Sequence, residues 1–453
     1  MRNYRNGLAA LGAALVLTMA LSGTALPQAA PAAGQAPGAQ QPSYTIPEYN
    51  AFQAAQAEKD PQTQIKDLDD FVSKFPNSTL LQYVYELYYQ AYFKTKNNAQ
   101  ALAYADKLIA LGDKAELPRR LAAVQARVQL FGSVFKPADA NAHDELTQER
   151  DAALLGLKLL PDLKKSNPNI TDDQIKTLSM NFEVAAGAAD LQLKDNAAAV
   201  EAFKAVLAAT PTDAATSYRL GLAYLGMTPP QTLDGFWALA RAVDLKMQGA
   251  DKVKDYLKQR ILAYEQPGCD SQVDAQLNEL LQLAANSPDR PSTYTIPSHD
   301  DLSKISQAST IITVIGDLGM GGDKAKMTWL AICGAEFPEV VGKIIDEQKS
   351  ANYIDFLVFT SASADEMQAA TMANMSVRVY TAAPAAGSTT AQVTPQPDVE
   401  RLSKDDEIRF SGSLVSYDPS PFLLHWDSVK VDPTIIPEKG GAKKPAAKKP
   451  AAK

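Results

Sequence analysis

Residues Ala198–Gly226 read AAVEAFKAVLAATPTDAATSYRLGLAYLG, and this stretch decides the fold. Ala199 and Phe203 lie four residues apart, as do Leu220 and Tyr224, the spacing at which side chains share one helix face. Pro211 cannot continue a helix and closes the first of two. Gly221 has no side chain, so a partner helix can approach closely there, and Ala199 does the same from the facing helix. Leu220, Tyr224 and Phe203 fill the space on either side. One such helix pair cannot bury its own apolar face, so several must stack.

The stretch closely resembles the tetratricopeptide repeat family. Ala199, Phe203 and Pro211 stand at the spacing of the second half of one repeat, and Leu220, Gly221 and Tyr224 at that of the first half of the next. The resemblance implies an α-solenoid whose concave face binds a protein or peptide. Ser217 stands where the family usually has Trp, so this position is expected to tolerate a larger apolar residue.

Working outward, the helical period continues on both sides. Tyr49, Phe52 and Ala55 share a face, followed by Ile65, Leu68, Phe71 and Val72 on a helix ended by Pro76. Ser78 or Thr79 can cap the next helix, which carries Tyr83, Tyr85, Leu87, Tyr88, Tyr89 and Tyr92. Ala101, Leu102, Ala105 and Leu108 form its partner, stopped by Gly112. Residues 117–160 are helical but fit no repeat, with one stripe at Leu121, Val124, Val128 and Phe131 and another at Leu154, Leu155, Leu157 and Leu159. A last pair covers 253–264 and 273–283, split by Pro267-Gly268.

The expected organisation is multidomain. A signal peptide occupies 1–25, with Arg2 and Arg5 before a short apolar run at 8–21. An Ala/Pro/Gln linker follows at 26–43, the tetratricopeptide-like domain at 44–286 and a linker at 287–297. A small α+β or β-barrel domain spans 298–437, and a disordered Lys/Pro/Ala tail 438–453. The signal implies a secreted or periplasmic protein with no transmembrane segment after cleavage. The phrase Tyr-Thr-Ile-Pro at 44–47 returns at 294–297, where the second domain begins.

In that domain Ile311–Ile315 is a β-branched run read as a strand, as are 340–345, 353–359 and 377–380. Helical stretches interleave at 324–332 and 365–371. Residues 408–417 and 422–431 make a hairpin across Asp418-Pro419-Ser420-Pro421. The phrase from Asp406 to Asp418 resembles a strand pair of OB-fold barrels of the anticodon-binding-like type. That resemblance implies an oligonucleotide- or oligosaccharide-binding face. Asp398, Glu400, Asp405, Asp406 and Glu407 crowd it, and the whole chain has a formal net charge of -8, so nucleic acid is not an expected partner.

Candidate chemistry is sparse. The run Gly316–Lys324 looks like a phosphate loop between strand and helix, but Asp323 separates Gly322 from Lys324 and Ala325 stands where Ser or Thr is needed. It reads as a structural turn. His143, His299 and His425 have no nucleophile motif beside them, and Asp67, Asp69 and Asp70 lack the spacing of a calcium loop. Cys269 and Cys333 are either two buried thiols or one disulfide. No catalytic, cofactor or metal site is expected. The candidate partner-binding residues are Tyr85, Tyr88, Tyr89 and Tyr92, flanked by Glu86 and Gln90. The expected function is a non-enzymatic interaction scaffold of the cell envelope. The alternative is a carbohydrate- or envelope-binding module using the barrel, and an enzyme housed there is the third reading.

Overall fold

The computed structural model describes residues 43–265, 270–383 and 394–438, with the backbone alone at 270 and 271. The signal peptide, the linker up to 42, Pro267-Gly268, Cys269 and the Lys-rich tail from 439 lie outside the described residues. The chain divides into two compact units, Met1–Ala250 with Ser287–Asp289, and Asp251–Asn286 with Arg290–Lys453.

The first unit is a series of helices: α1 (Ile46–Ala57), α2 (Pro61–Lys74), α3 (Leu81–Lys94), α4 (Asn98–Ala110), α5 (Leu117–Val134), α6 (Ala142–Ser166), α7 (Asp172–Leu193), α8 (Asn196–Ala209), α9 (Ala214–Gly226) and α10 (Thr232–Asp244). Short polar side chains at Thr45, Asp60, Asn97, Thr171, Asp195 and Asp213 accept a first-turn N–H and fix where six of them start. At α3 the expected cap sits two residues early: Ser78 accepts from Leu80 N, and Leu80 itself gives no side-chain cap. Each helix packs on the next. In addition α3 touches α5, α5 touches α7 and α7 touches α9, so the odd-numbered helices form one row backed by the even-numbered ones. This is the helical-repeat architecture the sequence implies.

Glycine sets the spacing within the pairs. A Cβ on Gly221 would stand 2.7 Å from Leu239 Cγ and 3.0 Å from the Gly235 carbonyl oxygen, so α9 and α10 meet backbone to backbone. Ala199 belongs to the preceding pair, where Gly187 of α7 lies against Phe203 and Ala202 of α8. Gly187 and Gly221 are 34 residues apart (221 − 187), one repeat length. Ser217 is 3% exposed, and its hydroxyl donates to Asp213 O at 2.9 Å, so a larger side chain there would have to fit within the packed helices rather than on an open face.

The irregular region is a continuous stretch of the array. Helix α6 runs through Pro161 to Ser166, beyond the expected end at 160. Its buried stripe is Ala152, Ala153, Gly156, Leu159, Leu160 and Leu163, whereas Leu154 is 48% exposed. The buried face therefore lies a fraction of a turn from the expected Leu154-centred stripe, because α5 and α7 decide which face is covered. Arg127 on α5 pins this region: it pairs with Asp106 of α4 and, at 3.2 Å, with Glu149 of α6. Burial pushes the Glu149 carboxyl up to about 7 against the pull of Arg127.

The second unit starts with α11 (Ala250–Glu265) and α12 (Asp270–Asn286), then α13 (His299–Ala308), α14 (Ile311–Met320) and α15 (Gly322–Ile332). A closed five-stranded barrel follows: β1 (Glu336–Lys349), β2 (Tyr353–Phe359), α16 (Ala364–Ala369), β3 (Met375–Tyr380), β4 (Glu407–Pro419) and β5 (Phe422–Val431). Around the barrel the order is β1-β2-β3-β5-β4, and β1 pairs with both β2 and β4 to close it. Among the described residues the one parallel pair is β3 with β5. Ile354, Phe356, Val358, Val377, Phe410, Leu424 and Trp426 fill the interior, and Val314, Leu318 and Trp329 from α14 and α15 join the same cluster.

Ile311–Ile315 is thus helical, which corrects the strand reading. Thr310 caps α14 in a capping box with Thr313, and Val314 and Leu318 are buried at helical spacing. Most of the Gly-rich run is helical, with 316–320 at the end of α14 and 322–324 at the start of α15, and the turn between them falls at Gly321 and Gly322, with φ of +70° and +66°. Cys333 is disulfide-bonded, so the reading of two separate thiols is set aside; the other cysteine in the sequence is Cys269.

Replacing Gly221 by Leu should force α9 from α10 and destabilise the first unit by about 1–3 kcal/mol. Thermal melts of the variant check this; an unchanged midpoint would mean the contact at Gly235 is not close.

Candidate functional site

The tyrosine-bearing helix α3 presents two different faces. Tyr85, Tyr88 and Tyr92 gather around Tyr104 of α4, with Tyr88 stacked on it at 3.9 Å between ring centroids and Tyr92 at 5.6 Å. Tyr88 is 1% exposed, and its hydroxyl donates to Asp69 of α2 at 2.6 Å. Burial, reinforced by that carboxylate, holds the Tyr88 phenol well above its ordinary pKa. Tyr89 is half-buried beside Ala105 and Leu108. Burial also raises the phenol pKa of Tyr85, Tyr89 and Tyr92. These rings are large contacts between α3 and the even-numbered helices, with only a portion of Tyr85, Tyr89 and Tyr92 at the surface.

The other face of α3 meets the odd-numbered row. Tyr83 donates to Glu116 at 2.6 Å, the Gln82 side chain accepts from Glu116 N at 2.8 Å, and Arg119 pairs with Glu86. Arg119 also lies 4.0 Å over the Tyr83 ring and 3.4 Å from Glu116. Burial and the bond to Glu116 push the Tyr83 phenol up to about 12. Tyr83 to Glu116 and Glu86 to Arg119 each span 33 residues, so the network links equivalent turns of successive repeats. Gln90 is exposed and donates to Glu86 at 3.4 Å. Phe93, 60% exposed, continues the stripe of Glu86 and Gln90 at intervals of four and three residues.

Of the four candidate tyrosines, Tyr85, Tyr88 and Tyr92 meet at Tyr104 and Tyr89 lies beside Ala105 and Leu108; the candidate set leaves out Tyr83, Glu116, Arg119 and Phe93. The available signal is the spacing of Gln82, Glu86, Gln90 and Phe93 opposite the buried Val84, Tyr88 and Ala91.

On the barrel, Arg378 of β3 makes a two-pronged contact with Asp355 of β2 at 2.7 and 2.8 Å. Its guanidinium lies 4.1 Å over the Tyr353 ring, covering one face of that aromatic. Lys324 of the Gly-rich run pairs with Asp317 at 2.7 Å, and Asp317 also accepts from Thr328. His425 contacts Asp418 at 2.8 Å rather than the nearby Asp427. Among the described residues no group of three or more His, Cys, Asp or Glu could hold a metal ion, and no helix is long and apolar enough to cross a membrane.

No protein-family model matches the chain, and no curated protein matches it. Two solved structures resemble a portion of it. "MamA RS-1 ArsTM double mutant" is 19% identical with a TM-score of 0.29, covering 46% of this chain and 98% of its own. "MamA 41-end from Desulfovibrio magneticus RS-1" is 20% identical with a TM-score of 0.28, with the same coverage.

Truncating Tyr88 to Ala should cost about 3–5 kcal/mol, as for other buried aromatics. Tyr92→Ala, at the rim of the same stack, should cost clearly less. Melts of the two variants compare them; equal losses would place Tyr92 in the core too.

Proposed function

We propose that this chain is a non-enzymatic interaction scaffold of the cell envelope that holds a segment of a partner protein along the odd-numbered helices near α3 and α5. One observation carries the reading: stacked helix pairs present a continuous row in which Glu86, Gln90 and the exposed Phe93 share a stripe on α3. An exposed aromatic beside charged and amide groups is the make-up of an interface anchor with a polar rim. The surface portions of Tyr85, Tyr89 and Tyr92 extend the contact area in this proposal, while Tyr88 supports them from within. Secretion or a periplasmic location is proposed from Arg2, Arg5 and the apolar run at 8–21.

A second reading takes the barrel as a carbohydrate- or envelope-binding module. The β1-β2-β3-β5-β4 closure, which resembles an OB barrel, supports it. Arg378 over Tyr353 weighs against it, since a sugar stacking there would have to displace a paired guanidinium.

Phe93→Ala with Gln90→Ala should weaken partner retention by about tenfold or more and leave the melting midpoint nearly unchanged, because both side chains are exposed. The check is quantitative retention from the organism's own envelope fraction, with Tyr353→Ala as the comparison. Retention lost only in the Tyr353 variant would favour the barrel reading; retention intact in both would remove the α3 stripe from the function.

A further inference from the structure

Helices α11 and α12 bury an acid and an amide against each other. Glu265, the last residue of α11, is 0% exposed, and Gln276 of α12 is 8% exposed. Gln276 Nε2 donates to Glu265 Oε1 at 2.6 Å. That leaves two buried oxygens, Glu265 Oε2 and Gln276 Oε1, with no hydrogen-bond partner. Each is an acceptor, and an ionised carboxylate beside a carbonyl oxygen gives neither of them a donor. Among the described residues no cation forms an ion pair with Glu265. Lys258 of α11 is held by Asp274 of α12 at 2.7 Å, and Lys326 of α15 by Glu279 of α12 at 3.0 Å. The Tyr294 phenol also interacts with Glu265 and Glu279, and burial with these two charges raises its pKa.

One proton resolves both orphans. A neutral Glu265 offers an Oε2–H that can donate to Gln276 Oε1 while Oε1 still accepts from Nε2. The acid and the amide then form two reciprocal hydrogen bonds. We propose that Glu265 and Gln276 hold a proton between α11 and α12 and act as a pH-sensitive clasp on this helix pair. Ionisation removes one of the two bonds and leaves an unpaired buried charge, which costs far more than an exposed one.

Burial pushes the Glu265 carboxyl from 4.5 to about 7, opposed only by its bond from Gln276. The folded chain therefore binds this proton more tightly than the unfolded chain. The stabilisation is fully present below the unfolded pKa and is lost as pH rises towards about 7. Glu149 and Asp190, raised to about 7 and about 6 by burial, act in the same direction, so the clasp must be read as a difference between variants.

The experiment uses the full chain and Glu265→Gln, whose amide can donate to Gln276 Oε1 without a proton. Between pH 6 and pH 8 the wild-type folding equilibrium should fall about tenfold relative to Glu265→Gln, leaving the variant the more stable at pH 8. Hydrogen exchange of the α11 and α12 amides, corrected for intrinsic rates, should show the same tenfold loss of protection in the wild type relative to Glu265→Gln. Parallel pH profiles for the two chains, a variant weaker than wild type at pH 8 or unable to fold, or relative protection that does not change between pH 6 and pH 8 overturns the proposal.

Discussion

The helical unit depends on how closely two backbones can approach. At Gly221 and Gly235 the absence of a side chain on either helix lets α9 and α10 meet carbonyl to Cα, and Leu239 and Leu225 close over the contact. In the preceding repeat Gly187 allows the same approach against Phe203 and Ala202. Close pairs of this kind leave each helix with an uncovered apolar flank, and only the next pair can cover it. The row of odd-numbered helices follows from that requirement, and so does any surface they share.

In the region that fits no repeat, charge does part of the fastening. Arg127 lies between Asp106 and Glu149 with almost no exposed surface, joining α4, α5 and α6. A buried ion pair is weak evidence for stability, since desolvation offsets much of its attraction, but it fixes which helices must be neighbours. Gly156 against Phe182 then carries the packing on to α7. The clasp at Glu265 differs from this node in kind: there an amide, not a cation, faces the acid, so a proton has to supply the missing donor.

The barrel solves a different problem. Its strands alternate buried and partly exposed residues, as β2 does with Ile354, Phe356 and Val358 inside and Tyr353, Asp355, Leu357 and Phe359 on the other face. Closing β1 onto both β2 and β4 removes open edges, and the bulges at Phe337/Val340 and Ile344/Asp346 let one long strand bend to do so. The outer face of β2 and β3 is already satisfied internally by Arg378, Asp355 and Tyr353. An internally paired face needs a ligand to break existing bonds before making new ones, which is why the stripe on α3 is the stronger candidate.

The sequence by itself determined the elements whose signals are local. The buried faces at Tyr49, Phe52 and Ala55, the strands near Tyr353–Phe359 and the hairpin around Asp418–Pro421 all follow from residue period and turn chemistry. Tertiary structure decided every question of which face is covered. Ile311–Ile315 has β-branched composition but is a helix, because a cap at Thr310 and the buried Val314 and Leu318 reward that period. Leu154 points outward and Gly156 inward because α7 brings Phe182 there. The rings of α3 divide between Tyr104 on one side and Arg119 on the other, and the residues that impose this come from the next helix or from 33 residues away. Such contacts leave no periodic mark in the stretch that bears them, since they depend on what the stacked neighbour presents.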